Sequence, residues 1–175
     1  MSRELYTEND FNFYLDISES VENFSEKILN TRLNKDQMRI LESFKSADQL
    51  EETSEYASGK TTLGIIISLH EALFKDGSKT VIKARDAITI EEILSRITEI
   101  FFSIDEKIVN KYLHLIKNRT RTKIIFENGS TITAYSNDDE ARGFLADFVF
   151  IDDGKISTSN VMFSSAKKLA LRTDV

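Results

Sequence analysis

Cysteine and proline are both missing from this chain of 175 residues. Without cysteine there is no disulfide framework, no thiolate zinc site and no cysteine nucleophile. Without proline, no domain boundary can be read from it. Histidine is scarce: His70 and His114 stand far apart, with no second ligand type at metal spacing. His70 lies in an apolar helical stretch and reads as a packed or surface residue rather than a ligand or base. No apolar run approaches the ~20 residues that a membrane span requires. The first residues, MSRELYTENDFNFYLD, have neither the apolar stretch nor the cleavage site of a signal peptide, so a cytoplasmic location without membrane partners is expected. An excess of positive charge is absent too, the formal net charge being −6. A domain that grips DNA by itself would carry a basic stripe. The one dense basic patch, Lys117-Asn-Arg119-Thr-Arg121-Thr-Lys123, reads as a solvated loop, and autonomous tight DNA binding is not expected.

What is present suits a globular domain. Hydrophobic residues make up 41% and charged residues 30%, and the length allows one domain with a sizeable core. Residues 1–32 are acidic and polar, and Val21, Phe24, Ile28 and Leu29 recur at helical spacing, which predicts a short amphipathic helix there. A second helix should begin near Asn34, a suitable cap, and carry Met38, Ile40, Leu41 and Phe44. Residues 45–58 are strongly polar and run into Gly59-Lys60-Thr61-Thr62. The stretch 63–74 behind them is apolar nearly all round, as in a helix buried against a sheet. Asp76-Gly77 predicts a turn, and 80–84 a short buried strand. Helices are expected over 90–102 and around 108–116. Two β-type runs, 123–126 and 130–135, flank Asn128-Gly129, a strong hairpin signal. An apolar strand over 146–151 ends in Asp152-Asp153, and 161–163 predicts one last strand. Helices alternating with apolar strands imply an α/β fold with a mainly parallel central sheet flanked by helices, plus the hairpin.

Two of these segments carry chemistry. Ser58-Gly59-Lys60-Thr61-Thr62 opening an apolar helix has the core of a phosphate-binding loop: backbone N–H groups at the helix start cradle phosphate, Lys60 neutralises its charge, and Thr61 offers a hydroxyl to Mg²⁺. The full pattern wants a further glycine five residues before Gly59, where Ser54 stands. An apolar strand ending in two acids is a Walker B pattern, in which Asp152 holds Mg²⁺ and Asp153 orients or deprotonates the attacking water. Their order and separation favour a nucleotide site over coincidence.

The segment between them is more specific. Phe126-Glu-Asn-Gly-Ser-Thr-Ile-Thr-Ala-Tyr135, a polar loop and then Arg142-Gly143 resemble the stretch before Walker B in the large terminase subunits of tailed phages. Upstream, Leu33-Asn-Lys-Asp-Gln37-Met-Arg-Ile-Leu41 is similar to that family's adenine-recognising glutamine motif. The resemblance spans roughly residues 33–165. It implies a P-loop NTPase of the ASCE type over 33–175, following a helical segment over 1–32. It also implies Mg²⁺ and ATP as cofactors and ATP hydrolysis coupled to DNA packaging. By that resemblance Gln37 would contact adenine, Ser58 to Thr62 would bind the nucleotide, and Thr61 and Asp152 would hold Mg²⁺. Lys60, Asp153 and Arg142 would be catalytic, Arg142 as an arginine finger on a neighbouring subunit's nucleotide, and Ser164-Ser165 resembles the coupling motif. A homo-oligomeric ring, a portal, a small terminase and double-stranded DNA within the assembled motor are the implied partners. No nuclease activity is expected, because no second acidic cluster follows Asp153.

Four departures from the family pattern stand out. The strand before the phosphate loop should be apolar and central, yet 45–57 offers only Ala47, Leu50, Tyr56 and Ala57. Tyr56 occupies the place of the family's loop arginine, and Asp153 that of its catalytic glutamate, one methylene shorter. The long segment after Walker B is nearly absent. An alternative reading follows: a catalytically impaired terminase-like protein acting as a structural or regulatory interaction module. A helicase-like ATPase is a third, which the hairpin with Arg142-Gly143 disfavours.

Overall fold

The structure is a computed structural model that describes residues 7–45, 49–54, 59–136, 146–152 and 159–164. In chain order its elements are α1 (Glu8–Glu19), α2 (Val21–Lys27), α3 (Lys35–Lys45), β1 (Gln49–Ser54), α4 (Lys60–Phe74), β2 (Lys79–Ala84) and α5 (Ala87–Phe102). There follow α6 (Glu106–Tyr112), β3 (Ile116–Arg119), β4 (Lys123–Phe126), β5 (Thr131–Ser136), β6 (Phe148–Asp152) and β7 (Ser159–Ser164). The seven strands form one sheet in the order β1-β7-β6-β2-β5-β4-β3. At its centre β2 pairs in parallel with both β5 and β6, while every other neighbouring pair is antiparallel. The chain is thus α/β, with parallel pairing at the centre of the sheet and antiparallel flanks.

Local chemistry explains most element ends. Asn34 caps α3, its Oδ1 accepting from the Gln37 N–H at 2.9 Å while its own N–H donates to Gln37 Oε1 at 2.9 Å. Asp86 caps α5 by accepting from the N–H and hydroxyl of Thr89, both at 2.8 Å, which hold its carboxyl well down, at about 2. The Asn128-Gly129 turn joins β4 to β5 as expected, with Gly129 at φ +82°. Helix α1 is an element that composition did not announce. It opens on a capping box in which Thr7 accepts from the Asp10 N–H and the Asp10 carboxylate accepts from the Thr7 N–H.

Three expectations need correction. A strand does precede the expected phosphate loop, but β1 stands at the edge of the sheet, hydrogen-bonded to β7 alone, rather than at its centre. Its sequence, Gln-Leu-Glu-Glu-Thr-Ser, explains why. A central strand must bury both faces, which charged side chains oppose, whereas an edge strand leaves one flank open to water. The basic patch at 117–123 is not a plain loop: Lys117 and Arg119 lie on β3, the opposite edge, and a short turn leads from it to β4. The helix expected around 108–116 begins earlier, capped by Asp105, and stops at Tyr112 so that Ile116 can enter β3.

The core forms where α4 and α5 pack on one face of the sheet. Leu63, Ile66, Leu73, Ile93, Leu94 and Ile97 meet Ile82, Ile132, Ala134, Phe148 and Phe150 there. Ile17, Phe24 and Ile28 from the N-terminal helical segment belong to the same cluster, so that segment packs onto the sheet-bearing region. The opposite face carries a smaller cluster of Val81, Ala146 and Val149. Among the described residues no helix is long and apolar enough to cross a membrane.

Candidate functional site

The start of α4 converges with the end of β6. Gly59 is the N-cap of α4 and adopts a left-handed conformation, φ +79°, which favours glycine. A Cβ there would also lie 2.7 Å from Gln37 Nε2, so space and backbone both require glycine. From that cap the helix starts at Lys60, which is 2% exposed. Thr61 then points at the sheet, and its hydroxyl donates to Asp152 Oδ2 at 2.7 Å.

This contact depends on a close approach one turn further along. Thr61 and Gly64 share a face of α4 by their i, i+3 spacing, and Phe150 and Asp152 share a face of β6 by their i, i+2 spacing. A Cβ on Gly64 would fall 2.5 Å from the Phe150 ring, so glycine lets the helix rest directly on that ring. With Gly64 seated on Phe150, Thr61 comes within hydrogen-bond reach of Asp152. An isolated glycine in an otherwise apolar helix is the sequence signal for such packing.

Register places the contact at the carboxyl ends of the parallel strands. Asp152 is paired with Ala84 on β2, and Ala84 with Ser136 on β5. The row across the three strands is therefore carboxylate, methyl and hydroxyl, and Ser136 and Asp152 are both buried. In open α/β sheets, ligands bind outside these carboxyl ends, where helix N-termini also gather.

Two further side chains meet the start of α4. Gln37 is buried, and its Nε2 donates to the Gly59 carbonyl at 2.9 Å, tying α3 to the start of α4. On the other side, Arg96 of α5 reaches across to α4, its Nη2 donating to Thr62 Oγ1 at 3.0 Å. The structure thus brings Gln37, Gly59, Lys60, Thr61, Thr62 and Asp152 to one place. Ser164 is the last residue of β7, in register with Val149 of β6 and Gln49 of β1. Ser58, Arg142, Asp153 and Ser165 lie outside the described residues. Sequence reasoning did not single out Gly64, Arg96 or Ser136, and named Asn34 only as a helix cap. Arg96 could have been noticed as the one basic residue between Arg85 and Lys107.

No group of three or more His, Cys, Asp and Glu side chains gathers as a metal cage among the described residues. Mg²⁺ needs no such cage, since it keeps several waters and takes one or two protein oxygens besides substrate phosphates. Thr61 Oγ1 and Asp152 fit that donor set. His70 is apart from this cluster: it is packed against Phe24 and Phe74, and its Nε2 meets the Ile17 carbonyl at 3.1 Å. Burial lowers its pKa to about 4, so it is neutral at pH 7 and donates that bond. Compared with known proteins, the chain matches no protein-family model and no curated protein.

Proposed function

We propose that this chain binds Mg·ATP at the start of α4 and hydrolyses it, as the ATPase domain of a viral DNA-packaging motor of the large terminase kind. The observation that carries the nucleotide reading is the 2.7 Å hydrogen bond between Thr61 and Asp152. It joins the two motifs that nucleotide chemistry needs side by side, although 91 residues separate them. The assignment to packaging rests on the hairpin, Arg142-Gly143 and glutamine-motif resemblance alone.

In this reading Lys60 and the N–H groups of the first turn of α4 take up phosphate charge. Thr61 Oγ1 and Asp152 would hold Mg²⁺, whose chemistry there would be to neutralise charge that develops on the phosphate oxygens. Asp153 would accept a proton from the attacking water, and Arg142 of a neighbouring copy would stabilise the transition state. Gln37 would keep Gly59 in place, and its remaining Nε2 hydrogen would meet adenine. Double-stranded DNA, a ring of copies, a portal and a small terminase are the partners of the assembled motor.

The edge position of β1 favours a second reading. A strand that is antiparallel to β7 and bonded on one side anchors the loop less firmly than a central one. That suits a catalytically impaired relative serving as a structural or regulatory interaction module.

Calorimetry with ATP, with and without Mg²⁺, on the native chain, Lys60→Ala and Asp152→Asn tests the proposal, with hydrolysis assayed alongside. Binding that Lys60→Ala abolishes, whose Mg²⁺ dependence Asp152→Asn removes, together with turnover, is expected. Binding without turnover selects the impaired module. No binding at millimolar ATP overturns the nucleotide reading.

A further inference from the structure

The two faces of the sheet differ in charge as well as in cover. Ile82 of β2, Ile132 and Ala134 of β5, and Ile124 and Phe126 of β4 belong to the core under α4 and α5. By strand alternation Lys83, Thr131, Thr133, Lys123 and Ile125 turn the other way. All five are part-exposed. Lys83 is in register with Tyr135 and Lys123 with Thr133, so the two lysines flank β5 from either side. The surface continues over the sheet edge to Lys117 on β3 and to Arg121 in the turn after it, both exposed.

The chain has 29 acidic residues against 23 basic ones, yet β2, β3, β4 and β5 contain no Asp or Glu. Among the described residues none of Lys83, Lys117, Arg121 and Lys123 has a carboxylate partner. Two other cations of these strands are counted out. Asp147 stands beside Lys79, accepting from its N–H at 2.8 Å, and Arg119 bonds Ser95 on the α5 side at 2.8 Å. A lysine on an edge strand guards against pairing with another chain, which accounts for Lys117 by itself. Lys83 lies on a central strand and Lys123 on an inner one, where there is no edge to guard. Cations gathered on one surface repel each other, and a bound polyanion relieves that repulsion.

The kind of polyanion follows from what the surface has little of. A protein partner wants an apolar centre, and on this face of β4 and β5 only Ile125 and Tyr135 are apolar or aromatic. Single-stranded nucleic acid wants a row of rings for its bases, and Tyr135 is one ring. Lysine, arginine and threonine side chains suit the phosphates of a duplex, which are contacted without reading bases.

We propose that the face of β2, β5, β4 and β3 turned away from α4 and α5 is a docking surface for the phosphate backbone of double-stranded DNA, with Lys83, Lys117, Arg121 and Lys123 as its contacts. That the polymer is DNA rests on the packaging reading; the surface itself rests on charge and register. Four strands at ~4.8 Å spacing span about 15 Å, room for a few phosphates, so binding is weak and steeply salt-dependent.

The test follows a mixed-sequence duplex of about 30 base pairs by fluorescence anisotropy, without nucleotide, from about 25 to 150 mM salt. For the native chain the logarithm of affinity should fall with that of salt at a slope of about −3.6, as for four phosphates. The double variant Lys117→Gln, Arg121→Gln should halve that slope and weaken binding at low salt by about tenfold or more, with an unmoved melting temperature. Lys27→Gln, whose cation is already paired with Asp16, and Lys60→Ala should both leave duplex binding as it was. No binding at the lowest salt overturns the proposal. So does a loss in Lys27→Gln or Lys60→Ala that matches the double variant, or tighter binding to oligo-dT or to a poly-glutamate peptide. ATP calorimetry on the native chain keeps the two readings apart: ATP bound without duplex leaves only the nucleotide site, and duplex bound without ATP leaves only this surface.

Discussion

The α4–β6 contact and the α1 helix are held by opposite means. Helix α4 buries eleven of its fifteen residues and rests on Phe150 through a glycine, so its position follows from apolar shape. Helix α1 has a single fully buried hydrophobic residue, Ile17, and adds polar ties to the ring contacts of Phe13 with Tyr112 and of Tyr14 with Phe74. The Asp10 carboxylate accepts from Lys111 Nζ at 2.7 Å and from the Tyr112 hydroxyl at 2.6 Å, which together hold its pKa well below the ordinary carboxylate value. At the other end, His70 of α4 bonds the Ile17 carbonyl. Apolar packing is close to indifferent to pH, while polar ties exist only in certain protonation states. The seat of α4 on β6 is therefore apolar, whereas the N-terminal helix is tied down by groups that titrate, one of which, His70, belongs to α4 itself.

The sharpest way to break the first region is at the ring. Phe150→Ala should cost about 3–5 kcal/mol in denaturant unfolding, the usual price of a buried aromatic. Gly64→Ala should cost about 1–3 kcal/mol by overpacking against the same ring. The double variant should cost less than the sum, because the added methyl then enters the space the ring vacates. Strict additivity would show that Gly64 and Phe150 do not set the approach of α4 to β6.

An effect of similar size is expected from acid. The pKa of His70 is lowered from 6.5 to about 4 by burial, so between those values the unfolded chain holds more protons than the folded one. Stability is then full above pH 6.5 and falls as pH drops toward 4, by about 3 kcal/mol in all. Asp10 and Asp86, both lowered from 3.8, give up their contributions only below that value, outside this window. Unfolding curves at pH 7, 5.5 and 4.5 should show the decline, and His70→Gln, which keeps a donor for the Ile17 carbonyl, should flatten it. An equally steep profile in the variant would move the origin of the effect elsewhere.

The smallest effect on global stability should come from Asp10→Asn, which removes the charge that Lys111 meets. Amide exchange should rise across α1 while α4 and β6 stay protected. Uniform loss of protection would mean that α1 and the sheet unfold as one unit.

Legibility followed the same division. Helix α4 was readable because its apolar run is continuous, and the β4–β5 hairpin because Asn128-Gly129 is a local turn signal. Helix α1 was not, since its anchors on α6 and α4 lie far along the chain and leave no period in its own residues. For the candidate site, the residue types of the loop and of the strand end were visible in the two motifs. Gly64 and Arg96 were not singled out, because what matters in each is the partner it meets.

The chain's own residues determined which segments coil and which extend, where the Asn128-Gly129 turn falls, and that Lys60, Thr61 and Asp152 are the candidate chemistry. Those properties depend on neighbours within a few positions. Only the tertiary structure decided that the polar strand β1 goes to the edge, that β6 and β5 flank β2, and that Thr61 meets Asp152 while Thr62 meets Arg96. Strand order and cross-element bonds join residues tens of positions apart, and which partners win depends on how the whole chain satisfies its backbone and buries its apolar faces at once.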